Sequence, residues 1–211
     1  MIQAIIFDMD GVIADTQMHH AQIESEILSQ FDIMISPEEI TKRFAGVRTE
    51  DFFKELLIKK QVDFDIKVLM AEKWRKINEV CNKELNSIPG VVGLIKEAVR
   101  SEIKLAVASA SSHDFICMVL DKLKIKDYFS EIVSAYEVER GKPQPDIFLL
   151  AAKKLGIVPE LCVVIEDGVH GMNAARAAGM KCIGLTNDKT APADLIINNF
   201  SEINIDTIKN L

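Results

Sequence analysis

Four short clusters in this chain combine residue types suited to handling phosphate and a divalent cation. The first, Phe7-Asp8-Met9-Asp10-Gly11, ends an apolar run in two carboxylates. In extended backbone, residues i and i+2 point the same way, so Asp8 and Asp10 would emerge together, and Gly11 permits a sharp turn after them. A bare D-x-D is also a common turn or helix-cap pattern. The second cluster is Ser109, which closes Leu105-Ala106-Val107-Ala108 and precedes Ala110-Ser111-Ser112. A hydroxyl and free backbone N–H groups there could hold phosphoryl oxygens, or simply cap the next helix. The third, Gly141-Lys142-Pro143-Gln144-Pro145-Asp146, reads as a cation positioned just before a helix, whereas most lysines are merely solvated. The fourth is Glu166-Asp167-Gly168 at the end of a strongly apolar run. A core strand seldom ends in unpaired acids without a cation to absorb their charge, so this pair points to metal binding.

The elements that must position these clusters follow from apolar patterning. Continuous apolar runs at residues 2–7, 104–109, 131–135, 162–167, 181–185 and 195–197 suit strands buried on both faces, as in a parallel sheet. Helical patterns separate them. Phe115, Ile116, Val119, Leu120 and Leu123 share one face, and Pro145–Leu155 stops at Gly156, a C′ position. Residues 168–178 are rich in alanine and suit close packing on the sheet. This alternation predicts an α/β fold with a doubly wound, Rossmann-like parallel sheet.

Residues 14–88 have a different texture, with helical patterns and no strand run. Ile66, Met70, Trp74, Ile77, Cys81 and Leu85 form a stripe, and Ser36-Pro37-Glu38-Glu39 reads as a helix start. The expected organisation is an α/β core of residues 1–13 and 89–211 interrupted by an α-helical insertion over 14–88.

Composition narrows the function. A net charge of −7 argues against a nucleic-acid partner, and the lack of a long apolar run against a membrane span. The start meets Asp8 without a basic lead-in, unlike a secretory signal. Cys81, Cys117, Cys162 and Cys182 are scattered without zinc-ligand spacing, which suits buried free thiols in a reducing cytoplasm. Neither G-x-G-x-x-G nor G-x-x-x-x-G-K-[ST] occurs, which disfavours a nucleotide-binding module.

Taken together and in order, D-x-D-G-V at Asp8–Val12, Ser109, G-K-P-x-P-D at Gly141–Asp146 and E-D-G-x-x-G at Glu166–Gly171 resemble the haloacid dehalogenase superfamily. The closest likeness is to its branch of β-phosphoglucomutases and small phosphomonoesterases, with a helical cap over the site. The resemblance implies Asp8 as a nucleophile that forms an aspartyl phosphate, and Asp10 as general acid and then base. Asp10 would need a raised pKa, supplied by desolvation. It implies Mg²⁺ held by Asp8, the Asp10 backbone carbonyl and Asp167, with Glu166 bound directly or through water. Lys142 and Ser109, with Ala110 beside it, would position the transferring oxygens, and Lys142 would keep Asp8 ionised.

In the cap, Thr16 sits at the expected hinge, and His20 completes D-T-x-x-x-H as a substrate contact or, alternatively, an exposed helix histidine. Gly46-Val47-Arg48-Thr49 resembles a loop that presents an arginine to a distal anionic group, although mutases carry that arginine where Thr49 stands. Lys73 falls near a second expected cap cation. After Ser-Ala-Ser, mutases typically continue Lys-Asn, and this chain reads Ser112-His113. The expected activity is therefore a Mg²⁺-dependent phosphomonoesterase on a small phosphorylated metabolite, a sugar phosphate, in a cytoplasmic monomer. β-Phosphoglucomutase activity is the alternative. A signalling receiver module fits less well, since its adjacent acids follow the first strand and it has no helical insertion.

Overall fold

A computed structural model describes residues 1–211. Its frame is a six-stranded sheet of β1 (Ala4–Phe7), β2 (Lys104–Ser109), β3 (Glu131–Ser134), β4 (Cys162–Glu166), β5 (Lys181–Leu185) and β6 (Leu195–Ile197). The order is β3-β2-β1-β4-β5-β6, and every pairing is parallel. The α/β class is as the apolar runs predict. The first strand begins two residues later than expected, and β4 stops at Glu166, which leaves Asp167 in the turn.

Strand β1 explains the two-faced core. Its side chains alternate across the sheet, so Ile5 and Phe7 join one apolar cluster while Ala4 and Ile6 join the other. The Ile6 face is covered by α7 (Asp146–Leu155) and α8 (Val169–Ala177). It is built from small residues, including Ala4, Ala106, Ala108, Ala174 and Ala175, which lets these helices lie close. Gly156 caps α7 with a left-handed backbone, φ 69°. The Phe7 face receives α5 (Val91–Arg100), α6 (His113–Lys122) and α9 (Ile205–Lys209).

Between β1 and α5 lie only helices: α1 (Gln17–Ser29), α2 (Pro37–Phe44), α3 (Thr49–Lys59) and α4 (Ile66–Lys83). Ser36 caps α2 as expected, its hydroxyl accepting from Glu39 N–H, with Pro37 in the first turn. The first half of the stripe on α4 is rotated from the expected one. Leu69, Lys73, Ile77 and Cys81, spaced by four, are the buried residues, whereas Ile66, Met70 and Trp74 are half-buried and Leu85 lies beyond the helix. Three cysteines are buried and Cys117 is partly exposed; none is in a disulfide. No helix is long and apolar enough to cross a membrane.

Ile6 is fully buried in the centre of the sheet. Ile6→Ala is expected to lower stability by about 2–5 kcal/mol, read as a lower midpoint in urea unfolding with an unchanged slope.

Candidate active site

Ligands of open parallel sheets bind outside the carboxyl ends of the strands, where the strand order reverses. Here that place is the end of β1, between β2 and β4. Phe7 is its last paired residue, Asp8 N–H still donates to Ile165 O, and the chain then turns through Gly11 at φ 84°. A Cβ at Gly11 would collide with the Asp167 carboxylate, so glycine is required by both backbone and space.

Lys142 organises one half of the site. Its ammonium is buried and donates to Asp8 Oδ1 at 2.5 Å, Glu166 Oε1 at 2.6 Å and Ala108 O at 3.3 Å. Burial alone would lower its pKa, but the Asp8 and Glu166 charges outweigh that and raise it. The reverse holds for Asp8. Burial pushes its carboxyl up, Lys142 pulls it down, Glu166 and Asp10 push it up again, and the result is about 8. Lys142 thus favours the ionised Asp8, in the expected direction, while burial and the neighbouring carboxylates oppose it. Glu166 is spent structurally, since its other oxygen accepts from Gly168 N–H at 2.8 Å. This departs from direct metal binding through Glu166. Asp167 is pushed well above the usual carboxylate range by burial and by the charges of Glu166 and Asp8. It faces a separate side cleft beside Thr41, Lys42 and His170.

Asp10 turns to the other half. Its Oδ1 accepts from Thr16 Oγ1 at 2.5 Å and lies 3.1 Å from His20 Nε2, and its Oδ2 accepts from Ser111 Oγ at 2.8 Å and Ser109 Oγ at 3.3 Å. Burial would raise its pKa, but the His20 charge and the bonds from His20, Thr16 and Ser111 hold it far below the usual range. The expected raised pKa is thus corrected: the carboxylate has too many donors for desolvation to prevail. Thr16 occupies the N-cap position of α1 yet makes no cap bond, because its hydroxyl is committed to Asp10. His20 is buried, edge-on to Phe115 with ring centroids 5.3 Å apart, which removes the exposed-histidine reading.

Asp8 and Asp10 line a common cleft. His20, Gly46, Lys73 and Ala110 line it as expected. Four expected substrate contacts do not: Thr16, whose hydroxyl is held by Asp10, Lys142, which is held between Asp8 and Glu166, and Ser109 and Arg48. Ser109 is fully buried and turned to Asp10 and to Ser111 N–H, and Ser111 lines the cleft instead. Arg48 points away: its Nε donates to Asp51 Oδ2 at 2.7 Å, and its terminal nitrogens reach the carbonyls of Ala135, Val138 and Glu139 at 3.3–3.4 Å. It latches α3 to the loop after β3 rather than serving the cleft. Sequence reasoning missed Gln17, Glu24, Thr49 and Ser111, which also line it. The spacing of Gln17, His20 and Glu24 along one face of α1 is a signal that leads from His20 to Glu24.

A parallel sheet with acids and a lysine gathered at its carboxyl edge, roofed by helices, is the layout of an α/β enzyme. The chain belongs to the haloacid dehalogenase-like hydrolase family, whose family model matches residues 5–185. Its relatives include β-phosphoglucomutase from Bacillus subtilis, 31% identical over 98% of this chain and 94% of that one. Fructose-1-phosphate phosphatase YqaB from Escherichia coli is 31% identical over 85% of this chain and 94% of that one. The crystal structure of β-phosphoglucomutase from Clostridium difficile superposes with a TM-score of 0.90 at 26% identity, covering 100% of this chain and 96% of that one.

The raised carboxyls make a pH prediction. Between the unfolded Asp8 pKa of 3.8 and the folded value of about 8, the folded state binds more protons than the unfolded one. Without divalent cations, stability contributed by Asp8 should therefore be full below about pH 4 and fall as pH rises towards 8. Urea unfolding in chelator should show this slope between pH 5 and 8, and Asp8→Asn should flatten it.

Proposed function

We infer that the chain is a Mg²⁺-dependent phosphomonoesterase that hydrolyses a small sugar phosphate through a phosphorylated Asp8. The observation that carries this reading is the division of labour at the end of β1. Asp8 is held by Lys142, Asp10 is held by His20, Thr16 and Ser111, and both carboxylates line one cleft.

The residues suit Mg²⁺. Asp8, Glu166 and Asp167 share the charge of one ammonium, and the Asp10 carboxylate adds its repulsion to Asp8 and Asp167, a surplus of negative charge. The Asp10 backbone carbonyl accepts no backbone bond. Asp167 gains no hydrogen bond to offset its repulsion. An ion there would be held by Asp8, Asp167 and the Asp10 carbonyl, with water filling the other positions, as Mg²⁺ prefers. When bound, it would supply positive charge that holds Asp8 ionised at neutral pH and draws charge from the phosphoryl oxygens.

In the first step an Asp8 carboxylate oxygen bonds to phosphorus as the bond to the leaving oxygen breaks. The leaving oxygen takes a proton from Asp10. The strong donors around Asp10 set the carboxylate form as its resting state, so it takes up the proton for this step from solvent before the cleft closes. In the second step water attacks phosphorus, gives its proton to Asp10, and the Asp8–phosphorus bond breaks to release phosphate. Lys142 stays in place throughout and offsets charge on Asp8. Closure of α1–α4 over the cleft excludes bulk water.

The family likeness also supports a mutase reading, which needs a second phosphate-binding subsite. Two features favour the phosphatase. Ser112 caps α6 by accepting from Phe115 N–H, and His113 lies beside Cys117 on an exposed surface, so neither serves the cleft. Arg48 is latched elsewhere.

Phosphate release from a sugar-phosphate panel in Mg²⁺, set against conversion of β-glucose 1-phosphate to glucose 6-phosphate with a bisphosphate primer, separates the two; isomerisation without release would overturn the reading. Asp8→Asn should lower turnover on the order of 10⁴-fold or more. Mg²⁺ should raise the unfolding temperature more at pH 8 than at pH 5, where binding must displace the Asp8 proton.

A further inference from the structure

The far wall of the cleft holds a second buried charge pair that takes no part in the chemistry above. Lys73 on α4 is 1% exposed and lines the cleft. Its ammonium donates to Thr49 Oγ1 at 2.9 Å, and Thr49 Oγ1 donates in turn to Glu24 Oε1 at 3.0 Å. The ammonium also lies 3.9 Å from that carboxylate oxygen and 3.7 Å from the centre of the Trp74 ring. Only Thr41 has a fully sealed side-chain atom without a partner, so the remaining Glu24 oxygen, which has no protein donor, opens to the cleft.

We propose that Glu24 sets substrate choice by cancelling the charge of Lys73, so that the cleft accepts a neutral polyol carrying one phosphate and rejects a second phosphate. The proposal rests on the phosphomonoesterase reading. A distal phosphate needs uncompensated positive charge. The wall offers none: Lys73 is matched by Glu24, His20 is committed to Asp10, and Arg48 is turned to Asp51 and the core carbonyls. A phosphate brought to Lys73 would lie against the Glu24 carboxylate in a poorly solvated place, where like charges repel strongly. A vicinal diol fits instead, with one hydroxyl donating to Glu24 and its neighbour accepting from Lys73. Ile40, Phe44 and Val47 on the same cleft supply an apolar flank for the C–H face of such a carbon chain.

The second phosphate is isolated by comparing kcat/KM for fructose 1-phosphate with fructose 1,6-bisphosphate, and for glucose 6-phosphate with glucose 1,6-bisphosphate, in Mg²⁺. The parent enzyme should prefer each monophosphate by roughly 100-fold, chiefly through KM. Glu24→Gln keeps the shape and removes the charge, and should cut that preference by about tenfold or more. Equal use of both members by the parent overturns the proposal. So does an unaltered preference in a Glu24→Gln protein that unfolds at the parent temperature. The parent comparison needs no variant, so it decides even where Glu24→Gln does not fold. Absence of phosphate release from every member of the sugar-phosphate panel overturns the phosphomonoesterase reading, a result distinct from equal use of monophosphate and bisphosphate.

Discussion

The Lys142 ammonium, with no exposed surface and a carboxylate on either side, ties together the ends of three strands. Asp8 follows β1, Glu166 ends β4, and the Ala108 carbonyl belongs to β2, so one side chain reaches the whole centre of the sheet's carboxyl edge. Burying three charges is costly, and it is tolerable only while each keeps its partners. That requirement fixes where Asp8 points and spends Glu166 on Lys142 and on the turn at Gly168. Asp167 is left facing its neighbours' charge without a cation of its own. The surplus acidity of the edge follows from this arrangement and is the physical basis for expecting a divalent ion there.

Asp10 provides the complementary constraint, because most of its partners come from outside the sheet. Thr16 precedes α1, His20 lies one turn into it, and Ser111 follows β2. One carboxylate thus joins the sheet edge to the helices that roof it. The same helix face carries Glu24 a turn beyond His20, which brings the chemistry of the cleft and its far wall onto one rigid element. Chemical competence and substrate choice are consequently spaced by the helical repeat.

Much of this was legible in the residues. Strands β2, β5 and β6 lie where their apolar runs predict, because burial on both faces leaves an unmistakable composition. The clusters at the strand ends were readable because each joins an unusual pairing of acids, hydroxyl or lysine to an apolar run. The misplaced expectations share another cause. Arg48 was judged by its loop, but its partners are backbone carbonyls near residue 138, which have no residue-type signature. The low pKa of Asp10 depends on donors up to 101 positions away. On α4 only the first half of the stripe shifted, to Leu69 and Lys73, while Ile77 and Cys81 kept their places, because packing chooses the inner face where periodicity leaves neighbours equivalent.

The sequence by itself determined the class of fold, the order of the elements and the residues available for phosphoryl chemistry, since these follow from local periodicity and from residue types at strand ends. Only the tertiary structure decided which charges meet. Lys142 to Glu166, Asp10 to Ser111 and Lys73 to Glu24 by way of Thr49 join distant parts of the chain. Electrostatic interaction depends on distance and burial rather than on separation along the chain. Protonation states, the role of Arg48 and the neutrality of the far wall therefore exist only once the chain has closed on itself.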